Sequence, residues 1–115
     1  MEKTIVIDGK DVRLKTTAAA GFRYKAQFGR DMFADMFSLQ AFMPILNGEI
    51  SSETDFSKLD FDVIYNLVWV YAKTADNEIP DPMKWLDTFG EFPIYEIVID
   101  IQDLIMKSLK TSKKK

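Results

Sequence analysis

The chain has 115 residues, 47% hydrophobic and 29% charged, with a formal net charge of −3. That is the size and composition of one ordinary globular domain, not of a disordered segment. Cysteine and histidine are both absent, which excludes thiol nucleophiles, Ser-His-Asp triads, Cys/His zinc sites, redox CxxC pairs and histidine proton shuttles.

The first element is a hairpin. Lys3–Ile7 and Lys10–Leu14 alternate in polarity about Asp8-Gly9, and Asp-Gly suits a type I′ turn because both central residues need positive φ. A two-residue loop pairs Ile7 with Lys10, Ile5 with Val12 and Lys3 with Leu14. Ile5, Ile7, Val12 and Leu14 then share one side, which has to pack on helices because a lone hairpin is barely stable.

Thr16 or Thr17 can cap a helix running to about Phe28, with Ala19, Phe22, Tyr24 and Ala26 as its apolar positions and Gly29 as a left-handed C-terminal cap. Asp31 can cap the next helix, MFADMFSLQAFMPIL, which Pro44 kinks or ends and Asn47-Gly48 terminates. Glu49 to Lys58 is polar and reads as the longest loop. Asp60 can cap a third helix through FDVIYNLVWVYAKTAD, apolar around nearly its whole circumference and therefore central. Asp81 as cap and Pro82 at the first helical position open a short helix through Trp85, Leu86 and Phe89, closed by Gly90. Pro93 opens the last helix, where Ile94, Ile97, Val98, Ile101, Leu104, Ile105 and Leu109 form an amphipathic stripe. Glu96 in its first turn and Lys107 near its last complement the helix dipole.

The expected fold is α+β, mainly α: an N-terminal β-hairpin packed on a bundle of about four to five helices. Residues 1–110 form a single domain with the hairpin at 3–14, and 111–115 are a disordered basic tail. Lys113, Lys114 and Lys115 supply +3, so residues 1–112 carry −6 by subtraction. The N-terminus lacks the apolar core of a signal peptide. The longest apolar run, Leu67 to Ala72, is too short to cross a bilayer. A soluble, non-secreted protein is expected, with a reducing cytoplasm as its simplest home.

No constellation singles out an enzyme. Asp76, Glu78 and Asp81 cluster at a turn but do not match the twelve-residue calcium loop. They are better explained as helix termini and a solvated turn. The 5 glycines stand apart at turns, so no phosphate-binding loop exists. No cofactor, metal or small-molecule substrate is expected. A helix-turn-helix could span Ala18–Leu46, but its second helix has no Lys or Arg after Arg30, which argues against nucleic acid.

The informative feature is an apolar excess. Residues 32–46 hold Met32, Phe33, Met36, Phe37, Leu39, Phe42, Met43, Ile45 and Leu46, more than the stripe a helix packed on one side needs. Two fully buried helices strain the interior of so small a domain. Residues 32–46 can be core, or a face for a partner or for self-association, or both in part.

The segment T-I-V-I-D-G-K-D-V-R-L-K-T-T-A-A-A-G-F-R-Y-K-A-Q-F-G-R-D resembles the tail assembly chaperones encoded by long-tailed phages and prophages of Gram-positive bacteria. The likeness lies in the opening I-[DN]-G-K hairpin and then a Thr-capped helix with an R-Y-[KR]-x-x-[FY]-G-[RK]-D stretch. Here that stretch is Arg23, Tyr24, Lys25, Phe28, Gly29, Arg30 and Asp31. Beyond this segment only length and acidic helical character are similar.

The resemblance implies a non-enzymatic protein of the host cytoplasm, absent from the mature virion. Such a protein binds the tape measure protein, keeps it soluble and helps recruit tail tube subunits. The family often makes a second, longer product by ribosomal frameshift, to which the Lys113–Lys115 run could correspond. A tape measure protein is a long helical chain, and its chaperone needs accessible apolar surface matched to amphipathic helices. Flexible Met and Phe side chains suit such a face, and many weak copies act through avidity. The expected contact surface is Met32, Phe33, Met36, Phe37 and Phe42, with Arg30 and Asp31 positioning the turn before it. Homo-oligomers are plausible from the apolar stripe, and no membrane partner is expected. The rival readings are a small helical DNA-binding regulator and a structural head–tail connector protein.

Overall fold

The computed structural model describes residues 1–39 and 60–109. Strands β1 (Glu2–Ile7) and β2 (Lys10–Lys15) form an antiparallel hairpin. Five helices follow among the described residues: α1 (Ala20–Phe28), α2 (Met32–Ser38), α3 (Phe61–Ala75), α4 (Pro82–Leu86) and α5 (Ile94–Leu109). The class is α+β, mainly α.

The hairpin register is the expected one: Ile7 pairs with Lys10, Ile5 with Val12 and Lys3 with Leu14. Asp8 and Gly9 take φ of 53° and 74°, the left-handed values a type I′ turn requires. Ile5, Ile7, Val12 and Leu14 are buried together, chiefly against α3 through β2, with β1 reaching α5. Polar bonds fix the seating. Lys3 Nζ donates to the Asp100 carbonyl at 2.7 Å and to the Asp103 carboxylate at 3.1 Å. At the turn, the Gly90 amide donates to Asp8 Oδ2 at 2.7 Å, and Lys10 Nζ donates to the Thr88 carbonyl.

α3 is the central element. Val63, Ile64, Leu67, Val68, Trp69, Val70, Tyr71 and Ala72 are all buried, as a helix apolar on every side demands. The Asp60 carboxylate caps it by accepting from the Asp62 amide at 3.0 Å. α5 lays Ile97, Val98, Ile101 and Leu104 on the same core, with Ile94, Ile105 and Leu109 partly buried beside them. Trp69 Nε1 donates to the Pro80 carbonyl at 2.8 Å, tying α3 to the segment that enters α4.

Two helix boundaries differ from the sequence expectation, the start of α1 and the end of α4. α1 begins at Ala20 rather than just after Thr17. The Thr17 hydroxyl accepts from the Ala19 amide at 3.3 Å and its carbonyl from the Ala20 amide at 3.1 Å, a local turn that competes with a helix cap. The inward face of α1 is Ala20 and Tyr24, with Phe28 partly buried. Ala19, Phe22 and Ala26 are exposed. α4 ends at Leu86, not Phe89, because the Thr88 hydroxyl and amide both take the Trp85 carbonyl, at 2.6 and 3.0 Å. Gly90 does not act as a left-handed cap; its amide is spent on Asp8. Pro44, Phe42, the Glu49–Lys58 loop and the Lys113–Lys115 tail lie outside the described residues.

Candidate functional site

The candidate site is the corner made by α1, its turn and α2. Gly29 takes φ of 68°, and its amide closes α1 on the Lys25 carbonyl at 2.8 Å. Such a left-handed cap favours glycine because any Cβ there is strained. Asp31 then caps α2, with Oδ1 accepting from the Phe33 amide at 2.8 Å and the Ala34 amide at 3.2 Å.

A buried carboxylate locks the two helices together. Asp35 is only 5% exposed. Its Oδ2 accepts from the Tyr24 hydroxyl at 2.6 Å and from Arg30 Nε at 2.9 Å, while Oδ1 accepts from Arg30 Nη2 at 2.8 Å. The Arg30 fork is bidentate, the strong geometry for a guanidinium and a carboxylate. The bonds from Arg30 hold the Asp35 carboxyl below its usual range, against its own burial. Burial, helped by the Asp35 bond, pushes the Tyr24 hydroxyl well up. Arg30 Nη2 also lies 3.9 Å from Asp60 Oδ2 at the start of α3. From Tyr24, an edge-on aromatic series runs through Phe28 to Trp69, with centroids 4.9 and 5.6 Å apart. The turn is thus anchored to the central helix by both polar and apolar contacts.

The apolar residues of α2 divide between two sides. Met32 and Met36 are buried, Met36 completely, and Leu39 joins them. These two methionines, expected at a contact surface, are core instead. They lie one turn apart on the stripe that also carries Asp35, and Tyr24 and Arg30 draw that stripe inward. Phe33 and Phe37, also one turn apart, face outward with 45% and 57% of their surface exposed. Phe42, the remaining expected contact, is not among the described residues. Arg30 and Asp31 build the turn and the cap.

Phe22, expected only as one of the apolar positions of α1, belongs to this corner. It is 82% exposed. The signal was available: Ala20, Tyr24 and Phe28 repeat every fourth residue, and position 22 lies on the other side of the same helix. Between Phe22 and Phe33 opens a hollow of about 270 Å3, with Ala18, Gly21, Lys25 and Met32 also in its lining. A neighbouring hollow of about 400 Å3 shares Ala18, Gly21, Met32 and Phe33 and continues to Thr16, Thr17, Lys107 and Ser108. Elsewhere Tyr95, Ile99 and Met106 are about half exposed along α5.

The acidic turn is engaged internally. Asp76 Oδ1 accepts from the Glu78 amide at 3.0 Å, and no group of three acidic residues among the described residues is arranged to hold a metal ion. No helix among the described residues is long and apolar enough to cross a membrane. No family model matches the chain, and no curated protein or solved structure is significantly similar to it.

Proposed function

We propose that the protein is a non-enzymatic tail assembly chaperone that binds the tape measure protein through the outer face of the α1–α2 corner. The observation that carries this reading is the placement of Phe22, Phe33 and Phe37. Three large aromatic side chains are exposed, by 45% to 82%, on helices held by the clamp of Tyr24, Asp35 and Arg30. Scattered single exposed apolar residues are ordinary, whereas Phe22 and Phe33 border one hollow and Phe37 stands one turn along α2 from Phe33, a grouping that marks a binding feature. A rigid corner loses little conformational freedom on binding, so a modest apolar contact suffices when many copies line one chain.

The R-Y-K-x-x-F-G-R-D segment that resembles these chaperones supplies the parts of the corner: Tyr24 and Arg30 of the clamp, Phe28 of the aromatic series, the Gly29 turn and the Asp31 cap. In this role the protein acts in the host cytoplasm, works beside tail tube subunits and leaves before the virion is complete.

Co-expression with the long helical reading frame of the same gene cluster tests the proposal. The wild type should co-purify with that chain and keep it soluble. Phe33→Asp with Phe37→Asp should abolish co-purification with no change in the circular dichroism spectrum. Retained co-purification by this folded variant would refute the reading. So would detection of the protein in purified virions in tail-subunit amounts, the outcome a structural connector predicts.

A further inference from the structure

We propose that the hollow between Phe22 and Phe33 receives one large apolar side chain of an acidic amphipathic helix, whose carboxylates meet Lys25 and Lys107. This rests on reading the α1–α2 corner as a protein-binding face, and adds the chemistry of its occupant.

Shape is the first ground. A Cβ built on Gly21 would sit 3.8 Å from Phe33 Cε2 and 3.9 Å from Met32 Cε, ordinary van der Waals distances, so glycine leaves room that a side chain would fill. Gly21 lines the hollow together with Ala18, also small, while Phe22 and Phe33 border it. A dry cavity of about 150 Å3 already admits benzene, and this hollow, at about 270 Å3, is larger. Met32 is flexible enough to adjust to a ring or a branched aliphatic chain.

Charge is the second ground. The chain as a whole is negative, at −3, yet lysines stand on both sides of this surface, Lys25 on α1 and Lys107 on α5. No carboxylate among the described residues forms an ion pair with either. Asp31, which caps the Phe33 and Ala34 amides, is the one carboxylate in the two linings, against two lysines. A helix bearing Glu or Asp beside its apolar anchor therefore gains on both sides, and a basic helix is repelled.

Two synthetic helical peptides with the same Leu/Phe stripe, one flanked by Glu and the other by Lys, test this by fluorescence anisotropy with the full chain. The Glu peptide should bind at least about fivefold more tightly at low salt, with the gap narrowing as salt is added. Lys25→Glu with Lys107→Glu should invert the preference. Gly21→Leu, which fills the hollow, should weaken binding of the Glu peptide about tenfold without lowering the unfolding midpoint. Phe22→Ala, which removes a wall at an exposed position, should do the same and serves as the second variant should Gly21→Leu fail to fold.

Equal binding of the two peptides, preference for the Lys peptide, or indifference to both hollow variants would overturn the inference. Dimerisation abolished by Gly21→Leu, without peptide binding, would overturn it in favour of a second copy of this chain. Tape measure co-purification that still depends on Phe33 and Phe37 in any of these cases would leave the chaperone reading standing; its loss of that dependence would remove both.

Discussion

The hairpin and the α1–α2 corner handle apolar surface in opposite ways. The hairpin sends Ile5, Ile7, Val12 and Leu14 inward and leaves only Val6 of its large apolar residues strongly exposed, besides Met1 before the strand. The corner buries Tyr24, Met32 and Met36 but keeps Phe22, Phe33 and Phe37 outside. In the first region the alternation of the strands alone decides which apolar side chains are buried, and polar bonds only fix its seating. The second needs a polar device, the Arg30–Asp35–Tyr24 clamp, to hold its exposed aromatics in place without drawing them into the core. The same short helix thus carries its buried and its exposed apolar side chains on different sides.

The largest effect expected from this contrast lies within α2. Met36→Ala should lower the unfolding free energy by about 3 kcal/mol, the cost of a buried cavity. Phe37→Ala, one residue on, should change it by less than about 0.5 kcal/mol. Urea titration of the two variants reads the difference directly. Similar losses would mean that the outward side of α2 is as structural as the inward side.

Next comes the clamp. Asp35→Asn should cost about 2 kcal/mol, because it replaces a doubly bonded carboxylate beneath Tyr24 with an amide that matches neither partner fully. The same group makes a pH prediction. The Asp35 carboxyl is held below its ordinary 3.8 by Arg30, so its stabilising contribution is complete above that value and is lost as pH falls through the lower, folded-state value. Wild type should therefore be more acid-sensitive than Asp35→Asn, measured relative to each protein's stability at neutral pH.

In the interior, burial pushes the Tyr71 hydroxyl up to about 12, against a lowering bond from Ser108. Its contribution is full below pH 10 and fades between pH 10 and about 12, the sign for a group kept neutral by the fold. Tyr71→Phe should flatten part of the alkaline loss of stability, followed by circular dichroism across that range. The smallest effect is a gain: Gly21→Ala should stabilise the protein by about 0.5 kcal/mol through helix propensity, since the added Cβ meets only ordinary contacts.

Sequence pattern reveals those elements whose geometry is local. Asp8-Gly9 with its alternating flanks fixes the hairpin register, and the uninterrupted apolar run of α3 leaves it no place but the centre. The corner is harder to read. Met32/Met36 and Phe33/Phe37 are both pairs one turn apart, so helical period alone offers two equivalent stripes on α2. What chooses between them is Asp35, whose carboxylate must find partners once buried. Those partners, Tyr24 and Arg30, lie across a turn that no periodicity describes. The same long-range bond turns Tyr24 inward and so sends Phe22 out, dividing two residues that the pattern of α1 lists together.

Amide hydrogen exchange, with and without the proposed tape measure partner, tests the central claim most directly. Binding should slow exchange across residues 18–37 and leave the hairpin and α3 unchanged. Protection confined to the hairpin or to α5, or none at all in a complex that still forms, would contradict the account.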